Sequence, residues 1–157
     1  HAMDNTVDAN MCHTFSSVSY QYMKINGREV GEMGIDGHFA GVQGVPVVFA
    51  ASDDKGVAEA EAFFPRIETV KTKDALGWNA AISKHPKRAV DEIYAGVQRA
   101  VEQMGSVEPF RFAEPLDLEI RFKRIEAAQA ASRGLKAGER VDPYSVRWHL
   151  DALSDYF

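Results

Sequence analysis

The sequence predicts an α/β fold, a mixed sheet with flanking helices and a β-hairpin near the N-terminus. Three observations carry the prediction. Residues 17–25 and 116–122 alternate apolar with polar side chains, the period of two of a half-buried strand. Val45 to Ala51 is an apolar run of strand length, and residues 86–104 repeat apolar side chains at helical spacing.

Taken in order, Val18, Tyr20 and Tyr22 alternate with polar neighbours from Ser17 to Ile25. Asn26-Gly27 then supplies a type I′ turn, because both residues tolerate the positive φ it needs, and Glu29-Val30 begins the return strand. Glu32 falls where the hairpin ends. Met33 to Val42 has helical spacing at Ile35, Phe39 and Val42; Gly34, Gly37 and Gly41 weaken it in isolation and predict burial against other backbone. The run Val45 to Ala51 suits a strand covered on both faces, with Pro46 at its beginning. Ser52-Asp53-Asp54 is an N-cap cluster for a helix from about Gly56 to Phe64. A strand from Ile67 to Val70 then completes a βαβ-like unit.

The longest helix runs from Pro86 to Met104 and closes at Gly105. Its stripe of Val90, Ile93, Tyr94, Val97, Val101 and Met104 reads as core. Leu116, Leu118, Ile120 and Phe122 alternate with Asp117, Glu119 and Arg121, which predicts an amphipathic strand. An alanine-rich helix from Ile125 to Ser132 ends at Gly134, Tyr144 to Trp148 is a last strand, and a short helix runs through Leu153. There is no internal repeat. Residues 1–157 read as one domain, with a small subdomain from about residue 107.

With 45% hydrophobic residues in 157, the chain has enough apolar side chain for one core. A net charge of -5 argues against a polyanion-binding face, so no nucleic acid is expected as a partner. Cys12 is the single cysteine, which rules out an intrachain disulfide and points to the cytoplasm. The apolar runs fall far short of the roughly 20 residues of a membrane-spanning helix, and no membrane partner is expected. The first residue is His1 rather than methionine; either upstream sequence is absent or His1-Ala2-Met3 is a cloning remnant.

His1, His13 and Glu32 are the side-chain types from which hydrolytic zinc sites are built. They do not complete one. A catalytic zinc takes about three protein ligands plus an open position, and if one histidine is kept for proton transfer only two ligands remain.

The segments His1-Ala2-Met3, Cys12-His13-Thr14-Phe15-Ser16-Ser17 and Ile25 through Gly34 resemble the D-aminopeptidase family of zinc peptidases. The likeness continues through Ala40-Gly41 and Gly44 to Val48 to Ser52-Asp53-Asp54, then more loosely to the strand at Leu116 to Phe122. The resemblance implies that the chain is the C-terminal portion of such an enzyme. Two metal ions, Zn2+, would then be held by acidic and histidine ligands, several of them from a missing N-terminal half of the same protein. It further implies that His1 and Glu32 are metal ligands and His13 the catalytic histidine. The substrate class would be short peptides, including D-configured ones, and the assembly a homo-oligomer. Such roles agree with zinc chemistry, which lowers the pKa of bound water while a nearby imidazole moves a proton.

Each assignment has a plainer competitor. His13 can be a satisfied structural histidine and Glu32 a solvated carboxylate. Asp36-Gly37 stands where similar enzymes often carry Asn-Ala, which bears on substrate preference. His38 is a weaker candidate beside Asp36, Asp53-Asp54 is explained by capping, and His85 and His149 read as surface residues. Cys12 lacks the pattern of a thiol nucleophile. Two functions follow: a zinc aminopeptidase, inactive as this piece alone, or a non-catalytic binding or assembly domain that keeps only the scaffold. Stoichiometric zinc lost in a Glu32→Ala protein separates them.

Overall fold

Period-two alternation places the core on one face of a sheet, and the folded chain bears this out. The computed structural model describes residues 1–157. In order, the elements are β1 (Tyr20–Ile25), β2 (Arg28–Val30), α1 (Glu32–Val42), β3 (Phe49–Asp53), α2 (Asp54–Phe63), β4 (Glu68–Gly77) and β5 (Ala80–Ser83). They continue with α3 (Pro86–Gln103), β6 (Leu116–Phe122), α4 (Ile125–Arg133), β7 (Glu139–Arg140) and β8 (Ser145–Leu150). A five-stranded antiparallel sheet has the order β2-β1-β6-β8-β7, and a second sheet has the order β3-β4-β5. The mixed α/β class holds.

Register explains the core. Met23 and Ile25 of β1 face Ile120 and Leu118 of β6, which in turn face Val146 and Trp148 of β8. These residues form one buried cluster with Ile35 of α1, Ala60 and Phe63 of α2 and Ala128 of α4. Because β6 pairs with β1, the part of the chain beyond residue 107 shares its sheet with the N-terminal hairpin. Asn26 and Gly27 both take the left-handed backbone at that hairpin, with φ of 51° and 80°.

The second sheet is where the expectations need correction. Its first strand begins at Phe49 rather than Val45, because Gly44 turns the chain at φ 77° and the Val45 amide is spent on the Ala40 carbonyl. Pro46 offers no amide at all. The strand lies at a sheet edge, paired with β4 alone, while Phe49 packs toward Gly96 of α3 and Ala50 toward the main core. The βαβ unit is real, since β3 and β4 run parallel with α2 between them, but β4 extends to Gly77 and returns as the unanticipated β5.

The stripe on α3 is not core. Val90, Tyr94 and Val101 are 64%, 67% and 58% exposed. What α3 buries is Gly96 and Ala100. At Gly96 a Cβ would lie 2.8 Å from Val70 and 2.9 Å from Phe49, so close packing selects the small residues for the sheet and turns the large ones outward.

Candidate metal centre

Three segments far apart in helical and strand terms meet at the start of α1. His1 lies on the N-terminal segment. The loop from Asp4 to Phe15 folds back on that segment through His13 N to Ala2 O at 3.3 Å and Asp4 N to Thr14 Oγ1 at 3.1 Å. Asn5, Asp8, Met11 and Phe15 hold positive φ in this loop, a conformation that needs outside support. The β4–β5 turn provides it: Trp78 Nε1 donates to Cys12 O at 3.1 Å, and the Trp78 carbonyl accepts from Met11 N and Asn10 Nδ2. Glu32 is the first residue of α1, and its Oε1 accepts from Phe15 N at 2.7 Å.

One ligand atom each from His1, His13 and Glu32 lies within 4.8 Å of the others. His1 Nε2 is 3.9 Å from Glu32 Oε2, His13 Nε2 is 3.9 Å from Glu32 Oε1, and the two imidazoles stack at 3.9 Å. The ring orientation decides what these atoms can do. His1 Nδ1 faces Ala2 O at 3.0 Å and His13 Nδ1 faces Met11 O at 2.8 Å. A carbonyl only accepts, so in each neutral ring Nδ1 carries the hydrogen and Nε2 is left as a lone pair. Two nitrogen lone pairs and a carboxylate thus converge without a hydrogen bond among them. Such a group of acceptors is repulsive until a proton or a cation enters it. The nitrogen and oxygen donors, and the backbone carbonyls that orient the rings, suit zinc.

A cleft of about 260 Å3 opens on these groups and is lined also by Met33, Asp36, Ser52 and Glu59. Glu59 is buried, and burial pushes its carboxyl up to about 6, with Glu32 and Asp53 adding to the rise. Asp36, one turn beyond Glu32 on α1, is raised by burial and then by the Glu32 charge. No lysine or arginine pairs with Glu32, Asp36 or Glu59. The cleft is rich in acid and poor in protein cations, another property of a cation site.

Comparison with known proteins places the chain in a family. A family model described as D-aminopeptidase matches residues 1–157. The chain belongs to the D-aminopeptidase family. A curated relative, the D-aminopeptidase of Bacillus subtilis strain 168, is 29% identical over 136 residues, covering 84% of this chain and 50% of the relative. Among solved structures, the Zn-dependent D-aminopeptidase DppA from Bacillus subtilis, a self-compartmentalizing protease, superposes with a TM-score of 0.89. That match covers 96% of this chain and 54% of the other at 24% identity, and it establishes the shared fold. The chain therefore spans about half the length of the D-aminopeptidases it matches.

Within this D-aminopeptidase scaffold the remaining sequence candidates separate from the site. His38 is buried, with Nδ1 accepting from Phe112 N at 3.1 Å and Nε2 3.4 Å from Glu114 Oε1. Asp53 caps α2 by accepting from Gly56 N at 2.7 Å, while Asp54 accepts from Ala75 N and pairs with Lys55. His85 caps α3 and His149 pairs with Asp117 at 2.9 Å on the surface. Burial and Asp4 push the Cys12 thiol up, the opposite of an activated nucleophile. Glu59 was not evident among the sequence candidates. The signal was present: Gly56, Glu59, Ala60 and Phe63 share one helical stripe, and a glutamate there points inward.

Proposed function

We propose that this chain forms the C-terminal portion of a zinc-dependent aminopeptidase that removes N-terminal residues, including D-configured ones, from short peptides. The convergence of bare Nε2 atoms of His1 and His13 on Glu32 carries the proposal. In it, His1 Nε2 and Glu32 are metal ligands, and two zinc ions occupy the complete site. When bound, zinc supplies Lewis acidity toward the scissile carbonyl and a water of lowered pKa.

His13 is the residue left to handle protons. Met11 O holds its Nδ1–H, which fixes the tautomer and leaves Nε2 to take a proton and return it to the departing amine. Glu32 is oriented by the Phe15 amide, so the loop that carries His13 also sets the carboxylate. With His13 reserved for protons, two ligands remain in this chain, fewer than a catalytic zinc takes. We propose that the others come from a preceding half of the same protein. Self-association belongs to the same proposal and is supported by the exposed apolar face of α3. A cytoplasmic location is proposed from the lone Cys12; no helix is long and apolar enough to cross a membrane.

Zinc content and hydrolysis of D-aminoacyl anilides, measured together, test the proposal. His1→Ala and Glu32→Ala are expected to lose zinc, whereas His13→Ala keeps it and loses turnover. Turnover is expected only when the N-terminal half is supplied. Robust turnover by this polypeptide alone with added zinc overturns the split-site reading, and full activity in His13→Ala overturns the role of His13.

A further inference from the structure

We propose that Glu59 is the positioning residue of the metal centre, a buried strut that sets the spacing between the His1 segment and the Glu32 segment. The inference rests on reading His1 and Glu32 as metal ligands. No backbone hydrogen bond joins residues 1–3 directly to residues 31–33; the His13 loop links them at one remove, through His13 N to Ala2 O and Phe15 N to Glu32 Oε1, and one side chain touches both segments itself. Glu59, on α2, reaches both. Its Oε2 accepts from the Met3 amide at 2.6 Å, two residues beyond His1. Its Oε1 packs against Gly31, the residue before Glu32, where a Cβ would lie 2.5 Å from that oxygen and 2.7 Å from Met3 Cβ.

Glycine at position 31 therefore answers to crowding, since its φ of -103° is open to any residue. Gly31 offers no side-chain cap to α1, and the Glu59 carboxyl sits beside that helix start, where negative charge is favoured. Glu59 is 6% exposed and its Oε1 has no hydrogen-bond partner. A dry carboxyl with one oxygen unpaired costs stability that a methionine of similar size would not. Its contacts account for it: one carboxyl touches the backbone of both ligand-bearing segments and forms part of the wall of their cleft.

The test compares the unaltered protein with Glu59→Gln, which keeps an oxygen for the Met3 amide, and Glu59→Met, which keeps volume and loses the acceptor. Hydrogen exchange at the Met3 amide reads the strut without metal. Zinc affinity by chelator competition and the visible spectrum of the cobalt-substituted protein read the site, and circular dichroism reads the fold. Glu59→Gln should keep Met3 protection and bind zinc within about threefold of the unaltered protein. Glu59→Met should speed Met3 exchange by about tenfold or more, weaken zinc by about 10–100-fold and shift the cobalt spectrum, with unchanged circular dichroism.

Native Met3 protection in Glu59→Met, or native zinc affinity and cobalt spectrum, overturns the inference and leaves the metal reading standing. Absence of zinc uptake by the unaltered protein with its N-terminal half supplied overturns both. Should Glu59→Met fail to fold, Glu59→Leu decides, because it also removes the acceptor for the Met3 amide: faster Met3 exchange with weakened zinc binding supports the strut, and native exchange or native binding overturns it.

Discussion

Two groupings of imidazole with carboxylate meet α1, and they differ in which ring nitrogen carries the hydrogen. At His38 the Phe112 amide donates to Nδ1, so the hydrogen is on Nε2, which faces Glu114 Oε1 at 3.4 Å, donor toward acceptor. At His1 and His13 backbone carbonyls take the Nδ1–H, so both Nε2 lone pairs face Glu32 and acceptor meets acceptor. The first arrangement is complete within the protein. The second is left open to a proton or a cation, so the same two side-chain types are arranged as a closed pair in one place and, in the function proposed, as a metal site in the other.

The largest expected effect breaks the second grouping. Glu32→Ala should weaken zinc binding by at least about 100-fold in calorimetric titration, because it removes the only oxygen donor of the trio. Next, His38→Ala should cost about 2–4 kcal/mol in denaturant melts, through a cavity and a stranded Phe112 amide. Zinc stoichiometry should be untouched in that variant, and a loss of zinc there would erase the distinction between the two groupings.

Titration sharpens the comparison. Burial holds His38 below the ordinary imidazole value of 6.5, so just below that pH the unfolded chain binds more protons than the folded one. Its stabilising contribution is therefore lost as pH falls from 6.5 toward the folded value, and His38→Gln should flatten that limb of the melting profile. Glu59 has the opposite sign. With its carboxyl pushed from 4.5 to about 6, the folded state binds the extra proton, and stability falls as pH rises across that window. At pH 7 Glu59→Gln should gain up to about 2 kcal/mol in metal-free protein, read as a higher Tm. The smallest effect is Trp78→Phe, which removes the donor to Cys12 O and should cost about 1 kcal/mol while quickening exchange in the loop that carries His13.

The antiparallel sheet was legible because one face is buried and the other wet. Alternation along Leu116–Phe122 reports that directly, as Asn26-Gly27 reports the hairpin. The α3 stripe misled for a physical reason: periodicity says that one face is apolar, not that this chain covers it. Here Gly96 and Ala100 take the sheet. The trio of His1, His13 and Glu32 could be named from residue type and resemblance. Its working feature, the Nδ1–H bonds to Ala2 O and Met11 O, depends on backbone folds at Met11 and along residues 1–3 that no spacing rule encodes. Glu59 was hidden by an alanine-rich helix in which charge ordinarily faces water.

Anomalous diffraction at the zinc edge, on crystals of the protein grown with its N-terminal half and zinc, decides whether His1 and Glu32 hold the metal. A peak is expected in the cleft at about 2.0–2.1 Å from His1 Nε2 and about 2.0–2.2 Å from a Glu32 carboxylate oxygen. A cleft without a peak at saturating zinc, with both imidazoles hydrogen-bonded to water instead, would contradict that expectation.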